Sequence, residues 1–188
     1  MKIIGETEVI ASITTLSIVL SRQIEPAFSM LIEAVEICPD GVWAEADGNI
    51  PVWQHLLHTA YYLDKWIRKP DEPFRQPTFV AEDAVNFVAP SKPAIARSQL
   101  RQYLWEVIAR CRLLLESADN TVLFREVQIH GSPHTLMDQT LGQIRHSLYH
   151  VGCISTILLR YTGVSLQWVG YDGPISETAS HKSVPDAA

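Results

Sequence analysis

The chain has 188 residues, 47% of them hydrophobic and 19% charged, which suffices for one compact domain and excludes a disordered or low-complexity protein. With 15 basic residues against 21 acidic ones the formal charge is -6, so the chain lacks the electrostatic footprint of a nucleic-acid-binding protein. Cys38, Cys111 and Cys153 are odd in number and form no Cys-x-x-Cys pair, a pattern of free thiols in a reducing compartment that reads as cytoplasmic.

The apolar-leaning stretch from Val9 to Leu20 does not read as a signal-peptide core. Glu6 and Glu8 stand where a positive region belongs, and Ser12, Thr14, Thr15 and Ser17 interrupt the apolar run. No other stretch is apolar for long enough to span a membrane. Leu16, Leu20, Ile24, Ala27, Leu31, Val35 and Cys38 recur in steps of three and four, which predicts a long first helix from about Glu8 to Cys38. Pro26 is expected to kink or break it.

A second helix opens at Pro51, a residue favoured in a first turn, and carries Val52, Leu56, Leu57, Ala60, Leu63, Trp66 and Ile67 at helical spacing. From Lys69 to Pro93 the chain holds five prolines, which predicts a long excursion with one short helix near Glu82 to Phe87. A third helix is expected from Pro93 or Ala94 to Ser117, capped by Ser91, with Leu100, Leu104, Val107, Ile108, Cys111 and Leu114 facing inward.

Thr121 to Ile129 reads as a short extended segment without a strand partner, and His130 to Pro133 as a turn. The fourth helix runs from about Thr135 to Tyr161, with Leu141, Ile144, Leu148, Val151, Ile154 and Leu158 as its buried stripe and Gly163 as its C-terminal cap. Four amphipathic helices predict an all-α four-helix bundle over residues 1–175, followed by a loose polar tail over residues 176–188. Trp43, Trp53, Trp66 and Trp105 lie on or beside helical stripes and are expected to fill the core.

The placement of the seven histidines is the informative feature. His146 and His150 stand four apart in the fourth helix and so project from one face; His55 and His58 lie three apart in the second. Two imidazoles from one helix and one from a facing helix make a three-nitrogen set with open positions, suited to a divalent transition metal such as zinc, nickel or iron. The bland alternative, satisfied core or surface histidines, stays open on spacing alone. Tyr62, four residues after His58, and Gln143, three before His146, are secondary candidates. Asp64, Tyr149 and Arg160 read as packing or solvent-facing, Arg160 also as a cation at a helix C-terminus, Cys153 as a small buried hydrophobe near the site, and His130, His134 and His181 carry no assigned role.

Missing residues remove sharper readings. Ser147 stands where a zincin protease carries its glutamate base, and no Glu-x-x-His of a ferritin-like carboxylate site occurs. Neither a glycine-rich phosphate loop nor a Gly-x-Ser-x-Gly elbow is present.

The segment His146-Ser-Leu-Tyr-His150-Val-Gly152-Cys-Ile154, continuing to Leu159-Arg160, resembles the His-x-x-x-His-x-Gly-x-Ile pattern of the DinB/YfiT-like superfamily. Leu56-Leu57-His58-Thr-Ala, leading to Leu63 and Trp66, is similar to the segment in which that family carries its first ligand histidine. The resemblance implies a metal triad of His58, His146 and His150, with His55 as the alternative ligand on the second helix. It also implies a down-up-up-down bundle whose middle helices run the same way, with Lys69 to Pro93 as the crossover.

The family includes metal-dependent thiol transferases that use low-molecular-weight thiols, so the resemblance implies a thiol S-transferase or a small-molecule hydrolase acting at one metal. The expected partner is a small-molecule substrate, with neither nucleic acid nor membrane, and a homodimer is the hypothesis for assembly. A non-catalytic ligand-binding or stress-response bundle is the alternative from another class.

Overall fold

The first apolar stripe forms α1 (Glu6–Ile37), which runs through Pro26 as one helix, so of the kink or break expected there the break does not occur. The computed structural model describes residues 6–45, 50–69, 72–129, 131–170 and 173–174. The tail from Ser176 onward with His181, and His130 of the expected turn, lie outside the described residues. After a single turn, α2 (Asp40–Trp43), the second stripe forms α3 (Val52–Trp66). Among the described residues of the long excursion only α4 (Glu82–Asn86) is helical, close to the place expected.

The third stripe forms α5 (Arg97–Ser117), which begins later than the sequence suggests. Ser91 is not its cap. The residue is buried, its N–H donating to Gln54 Oε1 (2.9 Å) and its hydroxyl to Asp83 (2.6 Å). Pro90 and Pro93 flank it, and the helix starts only at Arg97, after Ala96 in the extended region (φ -60°, ψ 135°).

The segment expected to be extended divides in two. Asp119 caps a short α6 (Asn120–Leu123), accepting from the Val122 N–H, and β1 (Glu126–Ile129) then pairs antiparallel with β2 (Ser132–Thr135). This hairpin corrects the expectation of no strand partner; Gly131, at φ +80°, supplies the left-handed turn residue. A second, minimal pair joins β3 (Val169–Gly170) to β4 (Gly173–Pro174) after the last long helix, α7 (Leu136–Thr162).

Both ends of α7 are fixed locally. Thr135 and Asp138 form a reciprocal capping box, and Gly163, at φ +74°, closes the helix with its N–H on the Leu159 carbonyl. Its buried stripe differs from the expected one at Leu141, which is exposed, and at Leu148, which is half-buried; Thr140 takes the inward position beside Leu141 and bonds back to the Leu136 carbonyl. Trp43 and Trp53 enter the core as expected, Trp66 is half-buried and Trp105 is exposed.

The helices α1 and α3 each pack against both α5 and α7, enclosing Ile24, Phe28, Leu31, Leu56, Leu57, Leu104, Ile108 and Ile154 at complete or near-complete burial. Along the seam of α1 and α5, Arg97 donates to the Val35 carbonyl (2.8 Å), Arg101 pairs with Glu36 (2.6 Å), and Arg112 grips Glu25 through two bonds of 2.7 Å. Such partly exposed pairs contribute at most about 1 kcal/mol each and chiefly set the register of the helices. No helix among the described residues is long and apolar enough to cross a membrane.

Candidate metal centre

The first two turns of α3 carry His55 and His58, and the middle of α7 carries His146 and His150. As the two helices pack in opposite directions, His55 meets His150 and His58 meets His146. The Nε2 atoms of His58 and His146 lie 3.0 Å apart, and those of His146 and His150 lie 3.1 Å apart. One ring nitrogen from each of the three lies within 4.8 Å of the others.

Hydrogen bonds on the far sides of the rings decide what those nitrogens are. The Val85 carbonyl, 2.8 Å from His58 Nδ1, can only accept, so His58 carries its proton on Nδ1. Gln143 Oε1 lies 3.3 Å from His146 Nδ1 and holds that ring in the same tautomer. The facing Nε2 atoms of His58 and His146 are then two bare lone pairs in contact, an arrangement that repels unless a cation joins them. Imidazoles bound to zinc at about 2.0–2.1 Å, at angles between right and tetrahedral, stand about 2.9–3.4 Å apart, which brackets the separations of the paired nitrogens. The donor set fits a divalent transition metal.

His55 occupies a different place. Its Nδ1 lies 2.9 Å from His150 Nδ1, on the edge of the His150 ring away from the three converging nitrogens. Both residues are buried, whereas His58 and His146 are half-buried. Burial first, and the neighbouring imidazoles second, push His55 and His146 down to about 4 and His150 to about 2. Burial also lowers His58, against its bond to Val85. All four rings are therefore neutral at pH 7 and keep their lone pairs.

The crossover completes the site. Phe87 ends α4 in the left-handed region (φ 58°), unusual for a bulky residue, and its ring packs 4.6–5.0 Å from those of His55, His58 and His150. Gln54, fully buried, ties this segment to α3 by donating to the Ala89 carbonyl (3.0 Å) and accepting from the Ser91 N–H (2.9 Å). Truncating it as Gln54→Ala leaves two backbone groups without partners. The expected cost is about 1–3 kcal/mol, with metal affinity falling about tenfold as Val85 and Phe87 loosen. Urea unfolding and chelator competition check this, and unchanged stability would refute the clamp.

Of the secondary candidates, Tyr62 lies beside His58 and His146, with ring centroids 4.7 and 5.7 Å away, and Gln143 is the bond partner of His146. Tyr149 is exposed, its ring meeting His150 edge-on. Arg160 sits over the Tyr161 ring, His134 bonds to the Ser132 carbonyl in the hairpin, and Cys153 is half-buried. Asp64 departs from its expected packing or solvent-facing place, for it is buried in an ion pair with Arg68 and Arg110. Val85 and Phe87 were not readable as site residues, because a backbone carbonyl and a lone aromatic in a proline-rich stretch leave no spacing signal.

Fold and site together define a mostly helical protein with three imidazoles gathered between two long helices. The profile of the DinB superfamily matches residues 23–154, a span that includes all three histidines, and the chain belongs to that superfamily. Comparison with curated proteins and with solved structures gave no significant match.

Proposed function

We propose that this protein is a divalent-metal-dependent enzyme acting on a small molecule, with His58, His146 and His150 as the metal ligands, in a four-helix bundle whose middle helices, α3 and α5, run the same way. The observation that carries the reading is the convergence of three Nε2 atoms, two of them left bare by bonds to Val85 and Gln143. When bound, the metal supplies Lewis acidity that lowers the pKa of a water or a thiol in an open position.

The chain's own residues do the rest. Val85 and Gln143 hold the tautomers and ring planes of His58 and His146, and Phe87 shields the inner side of the cluster from water. Tyr62, at the half-exposed side, is placed to touch a bound substrate. Three neutral ligands leave the positive charge of the metal uncancelled, which favours an anionic nucleophile; a thiolate, the stronger nucleophile at neutral pH, makes thiol S-transfer the preferred reaction and hydrolysis the second.

Elemental analysis of tag-free protein tests the site. About one equivalent of zinc, nickel or iron in the native chain, absent from a variant carrying His146→Ala and His150→Ala with its helical circular dichroism intact, is the expected result. Assays of transfer from low-molecular-weight thiols to electrophiles, with hydrolysis of the same electrophiles as control, then separate the two reactions. If neither protein takes up metal on reconstitution, the enzyme reading fails and a non-catalytic bundle replaces it.

A further inference from the structure

We infer that His55 is a positioning residue of the metal centre, accepting a hydrogen bond from His150 Nδ1 and so keeping the His150 Nε2 lone pair turned toward His58 and His146. This deepens the metal-binding reading above and rests on it.

Two N–H groups cannot face each other at 2.9 Å, so one of the two Nδ1 atoms donates and the other is bare, and each neutral ring with a bare Nδ1 carries its single proton on Nε2. When His55 donates, His150 carries its proton on Nε2, where it points at His146 Nε2 3.1 Å away and closes the third ligand position. When His150 donates, its Nε2 is bare and all three imidazoles present lone pairs to one point. Only the second arrangement accepts a metal, and it requires an acceptor behind His150. His55 supplies it, from a ring that is itself held: 6% exposed, on the early turns of α3, and edge-on to Phe87 at 4.7 Å.

The same geometry argues against His55 as a ligand. Its Nδ1 is engaged with His150 Nδ1, and His55 is not among the three residues whose nitrogens converge. His55-x-x-His58 thus divides its labour along one helical face, with the later residue in the cluster and the earlier one behind it. Partners of this kind typically change metal affinity by about 10–100-fold when removed.

The test compares the native chain, His55→Ala and His55→Asn, the last placing an amide oxygen at the δ1 position as an acceptor. Cobalt(II) is titrated against a chromophoric chelator, its visible bands are recorded, and the metal-free forms are melted by circular dichroism. The expected result is affinity about 10–100-fold weaker in His55→Ala with native-like visible bands, and recovery of most of the loss in His55→Asn.

Native affinity in His55→Ala overturns the inference. So does complete loss of binding with altered bands and no rescue by asparagine, which would make His55 a ligand, and so does unfolding of both variants, which would make its role structural. If the native chain itself takes up no cobalt, the metal reading fails and this inference with it; failure of this inference alone shows as native binding that His55 variants do not follow in the expected order.

Discussion

Asp64→Ala is expected to lower the free energy of unfolding by about 3–5 kcal/mol, as removal of one member of a buried ion pair does. The carboxylate is 4% exposed. Its Oδ1 accepts from Arg68 (2.5 Å) and Arg110 (2.8 Å), and its Oδ2 from the Tyr103 hydroxyl (2.9 Å). Burial, and then the Asp64 charge, push the Tyr103 phenol well above its ordinary range, so it stays a donor. Truncation leaves that buried hydroxyl without its acceptor, and leaves the largely buried Arg68 with Glu72 and backbone carbonyls alone. Asp64→Asn, which keeps an acceptor but loses the charge, is expected to cost less. Urea unfolding followed by far-ultraviolet circular dichroism measures both, and a loss below about 1 kcal/mol for the alanine variant would reduce the cluster to a surface ornament.

The Asp64 cluster and the histidine cluster share a helix without sharing a face. Six residues separate His58 from Asp64, a rotation of about 600° that leaves them about 120° apart around α3. His58 therefore addresses α7 while Asp64 addresses Tyr103 and Arg110 on α5. With Gln54, one turn before His58 on nearly the same face, bonded to the crossover, the buried polar groups of α3 find partners on α5, α7 and the crossover. Asp64→Ala protein that remains folded is accordingly expected to bind metal with native affinity.

Helical periodicity made the long helices legible, since Leu20, Ile24 and Leu31, or Leu100, Leu104 and Ile108, can bury together only on one face of a helix. It failed where a polar residue is buried with partners distant in sequence. Asp64 pairs with Arg110, 46 residues away, and Ser91 with Gln54, 37 residues away, so neither role shows in local spacing. Leu141 and Trp105 are the converse case, apolar residues left outside because Thr140 and Leu104 already occupy the inward positions.

At the site, the His-x-x-x-His spacing located two of the clustered imidazoles, and the second-helix pair bounded the third to two choices. What separates His58 from His55 is which ring nitrogen faces α7, and that depends on the Val85 carbonyl of a crossover whose course no periodicity encodes.

Acidification should destabilise the metal-free protein between pH 6.5 and 4, a window in which histidines are the side chains that ordinarily titrate. The folded state holds His55 and His146 down to about 4, His150 to about 2, and His58 below its usual value, through burial and then mutual proximity. The unfolded chain lets each titrate near 6.5. Through this interval the unfolded state binds more protons, so stability is fully present above pH 6.5 and is lost as the pH falls, at up to about 1.4 kcal/mol per pH unit for each imidazole. Melting temperatures of chelator-treated protein are expected to drop steeply from pH 6.5 to 4, and the metal-loaded protein, whose folded state alone offers the assembled site, to hold its melting temperature to lower pH. A flat profile between pH 7 and 5 would show that these rings protonate freely in the folded state, and so are neither desolvated nor coupled. A steep one exposes the cost of the arrangement: four desolvated imidazoles in contact lower the stability of the metal-free fold under mild acid, a burden that apolar side chains at the same positions would not impose and that a bound cation offsets.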